Sequence, residues 1–155
     1  MADTRATETA REEKPALRIE RHYPVAPEKV WRAWTDPQAL SAWFGPGAAD
    51  SVQLAQVDLR VGGRFRVLFY MPDGMECDIS GSYREVQPPH KLVFTWAWKG
   101  TPERVSLVTI RLAAAAGGTR MDFLHEQFYD EAARDDHRGG WSRSFDKLGQ
   151  HLGAP

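Results

Sequence analysis

The amino-acid sequence predicts an α+β domain in which a curved antiparallel sheet of about seven strands wraps a long C-terminal helix, two short helices following the first strand. Three observations carry that expectation. From residue 51 onward, strand-like runs alternate with reversal signals. One long helical stripe lies near the C-terminus, and two short stripes, each opened by a proline, lie near the N-terminus.

Residues 1–16 interleave Thr, Glu, Arg and Ala without periodicity and read as a disordered leader to the domain spanning 17–152. Leu17–Tyr23 alternates weakly, as an edge strand does, and Pro24 ends it. Pro27 suits the first turn of a helix because its missing N–H would be unpaired there anyway, and Val30, Trp31 and Trp34 then recur on one face. Asp36 is placed to cap a second helix, with Pro37 at its first position and Leu40, Trp43 and Phe44 forming its apolar stripe. Gly45-Pro46-Gly47 stops it. The strand candidates that follow are Ser51–Leu59, Arg64–Tyr70, Glu76–Val86, Lys91–Trp98, Arg104–Leu112 and Thr119–Glu126. Between them stand Gly62-Gly63, Pro72-Asp73-Gly74, Pro88-Pro89, Lys99-Gly100-Thr101-Pro102 and Gly117-Gly118, which supply the fixed or positive φ that reversals need. The last helix is expected from Asp130 to Leu152, with His137, Trp141, Phe145, Leu148 and Leu152 on one stripe. Gly139-Gly140 inside it costs about 1 kcal/mol per glycine relative to alanine, so close approach of the backbone to the sheet or to a ligand is expected there.

The totals narrow the function classes. A chain of 155 residues can hide roughly 70% of its unfolded surface in one core. A single cysteine, Cys77, forms no intramolecular disulfide, which favours a reduced cytoplasmic setting. Residues 1–18 contain no apolar signal segment and no window is long and apolar enough to cross a membrane. With 20 basic and 21 acidic residues the net charge is −1, too small to draw in nucleic acid. Six tryptophans, seven phenylalanines and four tyrosines are more aromatic area than a small core needs, so some of them either fill that core or wall a cavity.

The chemistry-bearing residues form no catalytic or metal-binding motif. The five histidines (His22, His90, His125, His137 and His151) show no HExxH or related spacing, and phosphate-loop, dinucleotide and nucleophile-elbow motifs are absent. The alternation Met121, Phe123, His125 puts His125 on an apolar face, either as a hydrogen-bonded core group or as a cavity group. His137 lies on the buried stripe of the last helix and points toward the same space. If the two converge, they orient a ligand's polar end or act as acid and base. Cys77 is expected to be buried and inert.

These residues resemble a known family. Val25-Ala26-Pro27-Glu28-Lys29-Val30-Trp31-Arg32-Ala33-Trp34-Thr35-Asp36-Pro37, with Leu40 and Trp43-Phe44, is similar to the opening signature of the START-like (SRPBCC) superfamily. Val61-Gly62-Gly63-Arg64-Phe65, Pro89-His90-Lys91-Leu92-Val93-Phe94-Thr95-Trp96, Gly118-Thr119 and Gly140-Trp141 follow in order. Within the superfamily the chain resembles homologues of the activator of heat-shock protein 90 ATPase, of the C-terminal domain type. The resemblance implies the helix-grip fold and a site for a hydrophobic small molecule.

The expected function is non-catalytic binding of such a molecule between sheet and helix, with no cofactor, no metal, no catalytic residue, and a monomer or homodimer. Trp31, Trp34, Trp43, Phe65, Phe69, Trp96, Phe123 and Trp141 are its expected wall, with Tyr83, His125 and His137 as polar orienters. Two alternatives stand beside it: a cyclase or hydrolase acting on a polyketide-like substrate, and a stress-response co-chaperone that stimulates a heat-shock protein ATPase through contact with the chaperone.

Overall fold

A computed structural model describes residues 14–47 and 51–153. The elements run β1 (Leu17–Tyr23), α1 (Pro27–Thr35), α2 (Pro37–Trp43), β2 (Val52–Val57), β3 (Arg64–Tyr70), β4 (Glu76–Gln87), β5 (Lys91–Trp98), β6 (Ser106–Ala115), β7 (Gly118–Glu126) and α3 (Glu131–Gly153). All seven strands pair antiparallel in the order β1-β7-β6-β5-β4-β3-β2. This is the α+β arrangement expected from the sequence, with the sheet curved around α3. The expected leader falls outside the described residues over 1–13, and its end is held: the Phe128 N–H donates to the Pro15 carbonyl at 3.1 Å.

The curvature has a local cause at Gly81 on β4. A Cβ there would collide with the Thr95 carbonyl oxygen of β5, so only glycine permits this approach. A register shift between Tyr83 and Glu85 bends the same strand pair further. The concave face then carries Phe65, Val67 and Phe69 of β3, Cys77, Ile79 and Tyr83 of β4, and Phe94 and Trp96 of β5, all buried. Their neighbours of opposite parity turn outward, as period-two alternation requires.

The C-terminal half of α3 presses Phe145, Leu148 and Leu152 into that face, each essentially inaccessible to water. Burying a side chain of this size contributes about 1.5–3 kcal/mol. Trp34 of α1 joins the layers: its ring lies edge-on to Trp43 at 4.7 Å and stacks on Phe123 of β7 at 6.2 Å. The Tyr23 hydroxyl donates to the Phe145 carbonyl at 3.1 Å, and the Lys147 ammonium donates to the Gly45 and Gly47 carbonyls at 2.9 and 2.6 Å. These bonds pin α3 to β1 and to the loop after α2.

Several local expectations are corrected. Asp36 makes no side-chain cap for α2; its carboxylate turns back to Arg32 at 3.5 Å. The second strand is shorter than Ser51–Leu59, interrupted by an irregularity between Val52 and Leu54 and ending before exposed Leu59. The run read as Arg104–Leu112 sits later, at Ser106–Ala115, because Ala116 and Gly117 both adopt positive φ and close a two-residue hairpin that lets Ala113–Ala115 pair with β7. Asp130 does cap α3, accepting the Ala133 N–H at 2.8 Å. At Gly139 and Gly140 no sheet atom presses on the helix: nothing lies within 4 Å of a Cβ built at either position.

Candidate functional site

Where the N-terminal half of α3 leaves the sheet, a cleft of about 1010 Å³ remains between them. That is at the upper end of small-molecule sites. Its sheet side is Phe69 of β3, Cys77 of β4 and Trp96 and Trp98 of β5; its helix side is Ala133, His137, Gly140, Trp141 and Ser144. Phe44 and Pro46 close one end and Phe128 and Tyr129 another, while Met71, Met75, Lys99 and Arg104 stand at the loops around it.

Behind and beside this wall runs a chain of hydrogen bonds whose directions follow from donor chemistry. An indole N–H can only donate. Trp141 donates to Nδ1 of His125 at 3.0 Å, so the neutral ring carries its proton on Nε2, which donates to the Ser106 hydroxyl at 2.7 Å. Ser106 passes its own proton toward the Trp96 carbonyl at 3.3 Å. In His137 the order is reversed: Nδ1–H donates to the Ala133 carbonyl at 2.6 Å, and Nε2 accepts from Trp98 at 3.0 Å and Trp96 at 3.3 Å. The two imidazoles meet edge to face, their centroids 5.3 Å apart.

Both rings are held neutral. Burial, reinforced by the neighbouring His137, pushes His125 well below the ordinary histidine range. Burial also lowers His137, opposed by its bond to Ala133 and by the charge of Asp136. Burial raises the Cys77 thiol, so this cysteine carries little thiolate although it borders the cleft. Among the described residues, no group of three or more His, Cys, Asp or Glu side chains is placed to hold a metal ion.

Of the eleven residues expected at a ligand site, Phe69, Trp96, His137 and Trp141 border the cleft. Trp31, Trp34, Trp43, Phe65, Tyr83, Phe123 and His125 do not; they are core groups. Trp43 gives its N–H to the Ala33 carbonyl at 2.9 Å, inside the helical pair. Phe65 and Tyr83 pack on Phe94 at 5.1 and 6.1 Å, away from the cleft lining. Phe123 is sealed beneath Trp141 at 4.7 Å. His125 stands one layer back, fully buried behind the lining residues Trp96, Ser106, Phe128, His137 and Trp141 that it touches. His125 and His137 do converge, but each is fully bonded by protein partners.

Sequence reasoning missed Phe44, Trp98, Ser106, Phe128 and Tyr129 as lining residues, while the cost of Gly139-Gly140 had marked that stretch of the helix for close approach to the sheet or a ligand. Trp98 shares the parity of Trp96 and was legible on that ground. Phe128 and Tyr129 lie in the irregular link between β7 and α3, where no period marks a direction.

The arrangement resembles known structures closely. A family model described as Activator of Hsp90 ATPase homolog 1-like protein matches residues 24–153. A crystal structure of a protein from Chromobacterium violaceum superposes with a TM-score of 0.80 at 26% identity, covering 91% of this chain and 99% of that one. The AHSA1 protein of Silicibacter pomeroyi gives 0.77 at 26% identity, covering 90% and 98%. CalU16 from Micromonospora echinospora gives 0.67 at 27% identity, covering 90% and 76%. No curated protein matches the chain in sequence.

Proposed function

Since this chain belongs to the Activator of Hsp90 ATPase homolog 1-like family, whose model matches residues 24–153, we propose that it binds a hydrophobic small molecule in the cleft between β3–β6 and α3, without catalysing its conversion. One observation carries the reading: the cleft is walled by aromatic rings whose polar atoms are already paired within the chain. The Trp96, Trp98 and Trp141 indoles, both histidines and the Ser106 and Ser144 hydroxyls all have protein partners. A ligand therefore meets apolar surface and need supply no hydrogen bond to the wall, a demand that only an apolar body satisfies without a desolvation penalty.

The hydrolase alternative draws on the Ser106–His125 pair, whose 2.7 Å separation matches that of a nucleophile and its base. The tautomer opposes it. A general base needs a free lone pair toward the hydroxyl, whereas Trp141 holds the His125 lone pair on Nδ1 and leaves Nε2 as a donor. Native mass spectrometry of freshly purified protein, followed by denaturation and identification of released compounds, tests the binding reading. A co-purifying apolar compound at one equivalent supports it; protein that is empty and also fails to take up any member of an apolar compound panel overturns it.

A further inference from the structure

We infer that the molecule bound in the cleft carries an anionic head on its apolar body, and that Arg104 is the residue that reads it; the inference rests on the cleft being the ligand site. Selection by the interior wall is limited to shape, because its donors are spent on protein acceptors. Orientation must come from the rim. There the Arg104 guanidinium lies 3.8 Å from the Tyr129 ring centroid, a cation–π contact that restricts its rotamers and leaves the N–H fork available. Among the described residues, no carboxylate stands at ion-pairing distance from Arg104 or from Lys99, which borders the same cleft.

The acidic lining residues are engaged differently. Asp78 is gripped by Arg66 through two bonds of 3.0 and 2.7 Å, and Glu76 accepts the Tyr70 hydroxyl at 3.3 Å. Asp136 remains, on α3, with its charge acting on His137. Arg104 and Lys99, with no carboxylate at ion-pairing distance, therefore share the rim with Glu76 and Asp136, neither of which has a cation partner, and what sets Arg104 apart is a guanidinium held in place with its N–H fork uncommitted. A carboxylate or sulfonate would find at Arg104 a planar fork held in place on an aromatic ring, the geometry that suits bidentate capture.

A matched pair of fluorescent probes tests this: anilinonaphthalene sulfonate, and its sulfonate-free parent N-phenyl-naphthylamine, each titrated into wild type and Arg104→Gln at physiological salt. The sulfonate is expected to bind wild type about fivefold or more tighter than the parent, and Arg104→Gln to remove most of that difference without changing the parent's affinity. Equal affinities in wild type, or a ratio that Arg104→Gln leaves unchanged, overturn the inference while leaving the ligand site standing. A parent compound that never saturates overturns the ligand site and the inference with it.

Discussion

Replacing Gly140 in the middle of α3 probes whether the cleft is open space. Glycine within a helix is about 1 kcal/mol less favourable than alanine, because it loses more backbone freedom on folding. That cost is normally retained where a side chain would collide, yet nothing lies within 4 Å of a Cβ built at residue 140, and the residue borders the cleft. Gly140→Ala should therefore gain close to the full propensity difference, about 0.5–1 kcal/mol, and raise Tm by roughly 2–4 °C in a chain of this size. The Ser144 hydroxyl bond to the residue 140 carbonyl, 2.9 Å long, involves only backbone at that position and survives the change. Gly140→Leu keeps most of the helix gain and extends a branched side chain into the cleft, so N-phenyl-naphthylamine affinity should drop about tenfold while stability holds. Urea unfolding followed by tryptophan fluorescence reads the first effect, and probe titration the second. A loss of 1 kcal/mol or more in Gly140→Ala would mean that the helix backbone is in contact there in solution, and the cleft closed.

Further outcomes follow from the same contacts. Because His125 and His137 titrate lower in the folded chain than the ordinary value of 6.5, unfolding takes up protons as the pH falls below about 6.5, and stability is lost from there downward until each folded pKa is reached. Between pH 7.5 and 5.5 His125, held well below the ordinary value, should account for the larger part of the loss and His137 for a smaller part, and His137→Gln should remove its own share of the slope in urea titrations. Ser106→Ala strips the partner from a buried imidazole N–H and should cost about 1–3 kcal/mol by the same assay, with probe binding retained because Ser106 anchors the network rather than the ligand. Lys147→Met removes the ammonium that holds the Gly45 and Gly47 carbonyls; it should lower stability by about 1–3 kcal/mol and speed amide exchange in the loop at 45–47.

The architecture was legible in the sequence because it is written in periodicities that tertiary contacts did not override. Alternation over Arg64–Tyr70 and Lys91–Trp98 placed those strands to the residue, and the Pro27 and Pro37 signals placed both short helices. The reversal expected at Gly117-Gly118 lies one residue earlier, at Ala116-Gly117, because alanine gives no sign that it will adopt positive φ. The cleft was half legible. Parity identifies which aromatics turn inward, but an inward ring that meets another ring and one that meets empty space carry the same pattern. Trp34 and Trp96 illustrate it: both are inward and both are buried, yet Trp34 is surrounded by Trp43, Phe123, Trp141 and Phe145, whereas Trp96 has the gap left by Gly140 before it. The decisive signal was the glycine pair on an otherwise amphipathic helix. Its cost demanded an explanation that the sheet does not provide.

The central claim, that the cleft admits an apolar molecule, is tested most directly by heteronuclear NMR during a titration with N-phenyl-naphthylamine. Saturable shifts concentrated on the indole N–H groups of Trp96, Trp98 and Trp141 and on the amide of Gly140 are the predicted result. Absence of saturation, or shifts confined to Val93, Thr109 and Leu124 in the shallow groove on the outer sheet face, would contradict it.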